Sequence, residues 1–404
     1  METIRETVKQ DKKTGRFTAV IEVFGASAKL GLTSFGGPIA HLGYFHNEYI
    51  RRRKWMDERS YAELVALCQF LPGPASSQVG IGAGIVRAGW LGGLAAWLGF
   101  TLPSILALVA FAFLIKSYDI GLMGWIHGLK IVAVAVVAHA VLGMGQKLAP
   151  DRDRATIAVM AASIMLFWQT AYSQIIIIAA AGLIGLWLYR KKAAEVAPIL
   201  NITISRSFAV ACLVLFFMLL IGLPFLRQAS DLEWLAMFDS FYRTGSLVFG
   251  GGHVVLPLLE HEIVSAGWVS KEDFLTGYGV AQAVPGPLFT FASYLGTVAG
   301  GLSGAIIATT AIFLPAYLLV AGALPFWNVM RNSPKIQGML VGINAAVVGI
   351  LLAALYDPLW TTAIMEPGDF ALAAILFVML AIWKLPSWLI VITGSAGGIL
   401  LGFL

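Results

Sequence analysis

The chain has 404 residues, 59% of them hydrophobic and only 12% charged. Soluble domains carry roughly 25% charged residues, and one or two soluble cores could not hide this much apolar surface. An ordinary soluble protein is therefore excluded; the net charge of +5 lies mainly at the ends of apolar runs, a pattern that orients membrane proteins rather than one that grips nucleic acid.

The first segment, 1–16, is polar and mixed in charge. No short apolar core with a small-residue cleavage site follows it, so a cytoplasmic N-terminal segment is expected rather than a cleaved signal peptide. Apolar runs long enough to cross about 30 Å of hydrocarbon as helices follow along the whole chain. Cys68 and Cys212 both sit inside such runs and read as buried small hydrophobes.

The text repeats itself. "FGGPIAHLGYFHNEYIRRRKW" from Phe35 returns as "FGGGHVVLPLLEHEIVSAGW" from Phe249, with a one-residue gap. "WMDERSYAELVALCQFLPGP" from Trp55 returns as "WVSKEDFLTGYGVAQAVPGP" from Trp268, and "FTLPS" at Phe100 as "IFLPA" at Ile312. Shared punctuation at four separate places makes a chance likeness of apolar text untenable. The repeat divides the chain into a first transmembrane repeat (17–189), a cytoplasmic linker (190–207), an inserted transmembrane helix (208–226) and a second repeat (227–404). Each repeat closes on two shorter apolar runs, Ala155–Trp168 with Ile175–Tyr189 and Phe370–Trp383 with Trp388–Leu404.

Loop charge sets the orientation. With the N-terminus inside and each Pro-Gly-Pro segment returning to its own side, the Arg51–Lys54, Arg152–Arg154 and Arg190–Lys192 clusters are all cytoplasmic. Lys116, Arg227 and Lys271 alone remain outside. The odd inserted span then starts the second repeat on the opposite face. The fold expected is an all-α polytopic membrane protein with two inverted-topology repeats, broken by re-entrant helices at the Gly-Gly-Pro and Pro-Gly-Pro motifs. Such repeats mark secondary transporters, with the substrate held near the midplane between the copies.

Each break leaves helix N–H groups and a partial positive charge inside the membrane, a ready anion site. Gly36, Gly37, Gly73, Gly250, Gly251 and Gly286 form these breaks. Kinking and close helix packing are the plainer use of the same residues. Lys29 and Arg243 lie six residues before Phe35 and Phe249, at equivalent repeat positions inside apolar text. Two costly buried cations at matched places point to an anion held between them; structural pairing with Glu22 and Asp239 is the alternative. Gln69 and Gln282 precede the Pro-Gly-Pro turns by three residues, and Ser76, Ser77 and Thr290 follow them. All could donate to an oxyanion or simply join helices. His41 and His253 follow the glycine breaks and could move protons; with Glu22 and Asp239 they are the candidates for coupling. No Walker loop, zinc-helix histidine pair or GxSxG elbow is present, so neither an enzyme nor a cofactor or metal is expected.

The motifs "FGGPIAHLGYF", "RRRKW", "LCQFLPGPASSQ", "RAGWLGG", "VFGGGHVVLPLL", "GWVSKEDFL" and "AQAVPGP" span both halves. In them the chain resembles the chromate ion transporter (CHR) family in its long two-domain form. The resemblance implies efflux of chromate, a sulfate-like dianion, across a bacterial inner membrane, with these motifs lining the path. Transport of sulfate or another inorganic anion, by carrier or channel, is the alternative. The expected partners are such an oxyanion and the lipid bilayer, with no nucleic acid; a homodimer is left open.

Overall fold

The computed structural model describes residues 16–35, 37–118, 124–168, 173–189, 204–249, 255–327 and 333–403, and all regular structure in them is helical. The polar N-terminal segment and the linker at 190–203 lie outside the described residues. Among the described residues, five helices are long and apolar enough to cross a membrane: Ala75–Ile115, Gly124–Leu148, Arg206–Gln228, Leu288–Phe326 and Pro334–Ala363.

The first half begins with α1 (Arg16–Thr33), a break, and α2 (Gly37–Phe45), whose last turns widen into a π-helix over His46–Arg52. Asp57 caps α3 (Glu58–Phe70) by accepting from the Ser60 N–H, and the Pro-Gly-Pro turn then leads into α4 (Ala75–Tyr118). Next come α5 (Gly124–Leu148), α6 (Arg152–Phe167) and α7 (Ser173–Tyr189). The inserted span is α8 (Arg206–Gln228). The second half repeats the series as α9 (Glu233–Leu247), α10 (Val255–Leu259) with its π-turn Glu260–Val264, α11 (Lys271–Ala281) and α12 (Phe291–Ala323). It closes on α13 (Pro334–Ala354), α14 (Pro367–Ala381) and α15 (Ser387–Leu401).

Neither α4 nor α12 is a single rod. Gly89 has φ 71° and Gly301 φ 64°, each preceded by a non-helical residue, Ala88 or Gly300. Residues eight apart on a straight helix lie about 12 Å from each other. Yet a Cβ added at Gly84 would run into Gly92, and one at Gly296 into Gly304. Each chain therefore doubles back at its glycine, which alone tolerates the left-handed backbone. The first limb of α4, 75–87, is about 20 Å long, too short to cross a bilayer alone.

Ion pairs show where that limb ends. Arg87 at its tip binds Glu22 of α1 at 3.0 Å, and Arg53, just before α3, binds the same carboxylate at 3.2 Å. The chain that leaves Arg53 through α3 and the Pro-Gly-Pro turn thus returns to the level from which it started. The excursion leaves and returns at one level, as expected of a re-entrant segment broken at the Pro-Gly-Pro turn. The second limb then runs beside α1, where a Cβ at Gly31 would lie 2.6 Å from the Phe100 carbonyl oxygen. In the second half α9 packs on α12 in the same manner, Gly245 against Ile312.

The closing helix pairs are exchanged between halves. α6 and α7 pack on α13, and α14 and α15 pack on α5. Small residues allow this contact: Gly182, Gly185, Gly338 and Gly342 line one crossing, and Gly124, Gly128, Gly394 and Gly398 the other. Without a hydrophobic drive between helices in lipid, close backbone approach supplies the association. α4 also packs directly on α12, with the Tyr317 hydroxyl donating to the Trp90 carbonyl at 2.8 Å. The two halves are intertwined rather than set side by side.

Candidate functional site

The helix breaks meet in the middle of this arrangement. Pro72 and Pro74 keep α3 from running into α4, and Gly73 adopts φ +119° between them. Its N–H donates 2.6 Å to the carbonyl of Val248, immediately before the second glycine break. The second turn does the converse: Gly286, at φ +105°, donates 2.9 Å to the carbonyl of Ser34, immediately before the first break. Beyond each turn stands the proline-bearing limb of the opposite half. Ser104 donates from its hydroxyl to the Pro285 carbonyl, and Ala316 occupies the matching place beside Gly73. The expectation that bare Gly73 and Gly286 N–H groups face a bound anion is thus revised. Those two donors are already paired, and they pin each Pro-Gly-Pro turn to the other half.

The donors left over belong to the first turns beyond the prolines. Ser76 and Ser77 are buried at the start of α4, and the Ser77 hydroxyl has no partner among the described residues. Thr290, at the equivalent of Ser77, is buried but donates to the Pro287 carbonyl at 2.7 Å. Gln282 closes α11 with its amide nitrogen buried and without a partner among the described residues, whereas Gln69, its counterpart, is exposed. His41 lies buried against the rings of Phe45 and Phe100. Gly37 opens α2 at φ +77°. Gly36, Gly250, Gly251 and His253 lie outside the described residues.

The chemistry around the two breaks differs between halves. The α4 start carries Ser76, Ser77 and Gln78, with Ala316 of the opposite half beside Gly73; the α12 start carries Phe289, Thr290 and Phe291, with Ser104 of the opposite half on the Pro285 carbonyl. Gln78 folds back, and its amide nitrogen donates 2.7 Å to the Pro72 carbonyl. Sequence comparison of the repeats contains this asymmetry, because Ser76 and Gln78 align with Phe289 and Phe291.

Lys29 and Arg243 do not meet. Lys29 pairs with Glu48 at 3.3 Å, and Arg243 pairs with Glu262 at 3.1 Å. Glu48 and Glu262 are themselves equivalent positions, so the same brace ties the helix before each glycine break to the π-turn after it. Asp239 also binds Arg243 at 2.6 Å and Arg227 at 3.3 Å, as its place one turn away suggests. Glu22 instead serves Arg53, Arg87 and the Trp55 indole. Arg52 and Arg53 add two further contacts to Glu48 at 3.3 and 2.7 Å. The first cluster therefore gathers Lys29, Arg52, Arg53 and Arg87 on two carboxylates and is cationic, while the second balances Arg227 and Arg243 against Asp239 and Glu262. Glu48 and Glu262 escaped the sequence reading. Their signal was the one-residue gap: an offset of 214 before it aligns both the cations and these carboxylates.

The chain matches the family model described as Chromate transporter over residues 21–186 and 235–402, one match in each half. It is 29% identical to a chromate transport protein of Pseudomonas aeruginosa, over 93% of this chain and 90% of that protein. A probable chromate transport protein of Synechococcus elongatus is also 29% identical, over 92% of this chain and 93% of its own length. An uncharacterized transporter of Bacillus subtilis is 30% identical over 178 residues, which is 97% of that protein but 42% of this chain. No solved structure matches. Two matched segments on an intertwined helical frame, with re-entrant breaks at corresponding places, make this chain a member of the chromate transporter family.

Proposed function

We propose that this protein is a secondary transporter that exports chromate across the bacterial inner membrane and so confers chromate resistance. Its N-terminus is cytoplasmic, its two repeats have opposite orientation, and the oxyanion binds where the Pro-Gly-Pro turns cross the glycine breaks. The observation that carries the site is the reciprocal pair of hydrogen bonds, Gly73 to Val248 and Gly286 to Ser34. They bring the start of α4, with its buried Ser76 and Ser77, and the start of α12, with Thr290, to the junction of the halves. Two helix N-termini and short hydroxyl side chains there suit a small dianion with oxygens on every side. Lys29 and Arg243 brace the broken helices on either side, and the Lys29 cluster adds positive potential.

Export agrees with the energetics. An inside-negative potential of about 100 mV is worth about 2.3 kcal/mol per charge, so about 4.6 kcal/mol drives a dianion outward. The cationic cluster around Glu48 lies on the side proposed to be cytoplasmic, where it concentrates the anion before export. Sulfate has the same shape and charge, and the hydroxyl-lined site offers nothing to reject it.

Purified protein in liposomes tests the proposal by chromate and sulfate flux, each in competition with the other. Saturable chromate flux that exchanges labelled substrate is expected. Unsaturable conductance would make it a channel, and flux of sulfate unaffected by excess chromate would remove chromate as the substrate.

A further inference from the structure

The two halves repeat the same elements, yet they are not equally covered. Arg243 is 19% exposed by its side chain and Lys29 51%. Leu258 on α10 is 6% exposed, whereas its counterpart Tyr44 on α2 is 42% exposed. The same contrast runs along the next helix. Leu275 and Gly279 of α11 are buried, but the equivalent Ala62 and Ala66 of α3 are exposed. Composition does not explain this, because alanine is smaller and no more polar than leucine.

What covers the second half is visible. α11 lies on α5, where a Cβ at Gly279 would come within 2.6 Å of the Leu129 carbonyl oxygen. Leu258, Arg243 and Glu262 share a small pocket with Gln174 and Ile175 at the start of α7. α5 and α7 belong to the group of long and closing helices in which each half has exchanged its end with the other. That group therefore presses on α10 and α11 while leaving the matching faces of α2 and α3 bare. Two helices in series and the cation behind them all differ in the same sense.

We propose that the structure is open on one side only: an aqueous mouth runs along the exposed face of α3, past Ala62 and Ala66 to Gln69 and the first Pro-Gly-Pro turn, while α11 is the closed gate of the other side. The proposal rests on the transport function argued above and specifies the route to its site. The mouth opens on the face carrying Arg51–Lys54 and the Lys29–Glu48 pair, so its occupant is the oxyanion substrate with its water. Pseudo-symmetry states what the opposite conformation must be: α3 comes to lie on α13 as α11 now lies on α5, and Leu275 becomes exposed. The moving boundary is then the surface between the exchanged helix group (α5–α7 with α13–α15) and the broken helices, rather than the boundary between the two halves.

The test uses single cysteines at Ala66, Leu275 and Thr276 in the full chain with Cys68 and Cys212 replaced by alanine. Vesicles of both orientations are treated with a charged, membrane-impermeant thiosulfonate. Ala66→Cys should react from the Arg51–Lys54 side only, at least tenfold faster than Leu275→Cys or Thr276→Cys from either side. Thr276→Cys is nearly isosteric, so it keeps the comparison valid where Leu275→Cys fails to fold. Equal rates at Ala66→Cys and Thr276→Cys would overturn the proposal, as would an inert Ala66→Cys, which would make that face a lipid contact. Saturating chromate should slow the Ala66→Cys reaction. One-sided labelling that neither chromate nor sulfate changes would leave the open mouth standing and remove the oxyanion reading.

Discussion

The N–H of Gly73 donates to the carbonyl of Val248 at 2.6 Å, tying the first Pro-Gly-Pro turn to the residue before the second glycine break. Its counterpart, Gly286 to Ser34 at 2.9 Å, makes the arrangement reciprocal. Each half thus supplies a turn that completes the broken helix of the other. A helix end inside a membrane has carbonyls that need donors, and here the opposite half provides one.

Valine at either glycine should be severe. Both residues adopt left-handed backbone, which costs a β-branched residue about 1–3 kcal/mol. At Gly286 a Cβ would also meet the Ser104 hydroxyl, and at Gly73 it would sit 2.9 Å from the Gln78 amide nitrogen. Gly73→Val and Gly286→Val should each reduce transport by tenfold or more while protein still reaches the membrane. Near-normal flux by both variants in liposomes would reduce these turns to packing devices.

Much of this was legible in the text. The helix breaks fall at the glycine and proline motifs, and the inserted run Phe208–Leu226 lies within α8. Asp239 pairs with Arg243 as a one-turn spacing allows. Other features were not readable, for physical reasons. Gly89 and Gly301 reverse the chain, but glycines within an apolar run are also compatible with a straight, closely packed helix. Gly185 and Gly338 mark close-packed faces, yet a small-residue face does not say which helix it meets. The exchange of closing helices between halves therefore had to be seen. Glu48 lies nineteen residues from Lys29, beyond helix spacing, so only the fold brings them together.

The braces differ in exposure, and their loss should differ accordingly. Arg243→Gln strands Glu262 and half of the environment of the buried Asp239, a change of the kind that costs about 3 kcal/mol. Lys29 is half exposed and Glu48 keeps Arg53, so Lys29→Gln should cost no more than about 1 kcal/mol. Thermal unfolding in detergent measures both. Adding Asp239→Asn to Arg243→Gln should recover part of the stability. Full recovery of transport in that double variant would show that Arg243 serves only to neutralise Asp239.

The exchanged helices predict a specific cross-link. His139 of α5 and Phe377 of α14 have ring centroids 6.4 Å apart and come from different halves. With cysteines at both positions and a protease site placed within 190–203, a short bifunctional thiol reagent should hold the two fragments together on a denaturing gel. Transport should survive, because both residues lie in one body. Loss of flux on cross-linking would mean that the two halves rock against each other as units.

Orientation has its own test. Lys191→Cys should be protected from an impermeant thiol reagent on intact cells, and Ser270→Cys, which replaces the cap of α11, should be labelled. Labelling of Lys191→Cys from outside, or protection of Ser270→Cys, would overturn the inverted arrangement with its N-terminus inside.

The central claim, that the oxyanion binds where the Pro-Gly-Pro turns cross the glycine breaks, is measured most directly by crystals grown with chromate. An anomalous difference map collected at the chromium edge should show its strongest peak within hydrogen-bond reach of the first turns of α4 and α12, beside Ser76, Ser77 or Thr290. A peak found instead only at the Lys29–Glu48 cluster, with none at those turns, would contradict the account.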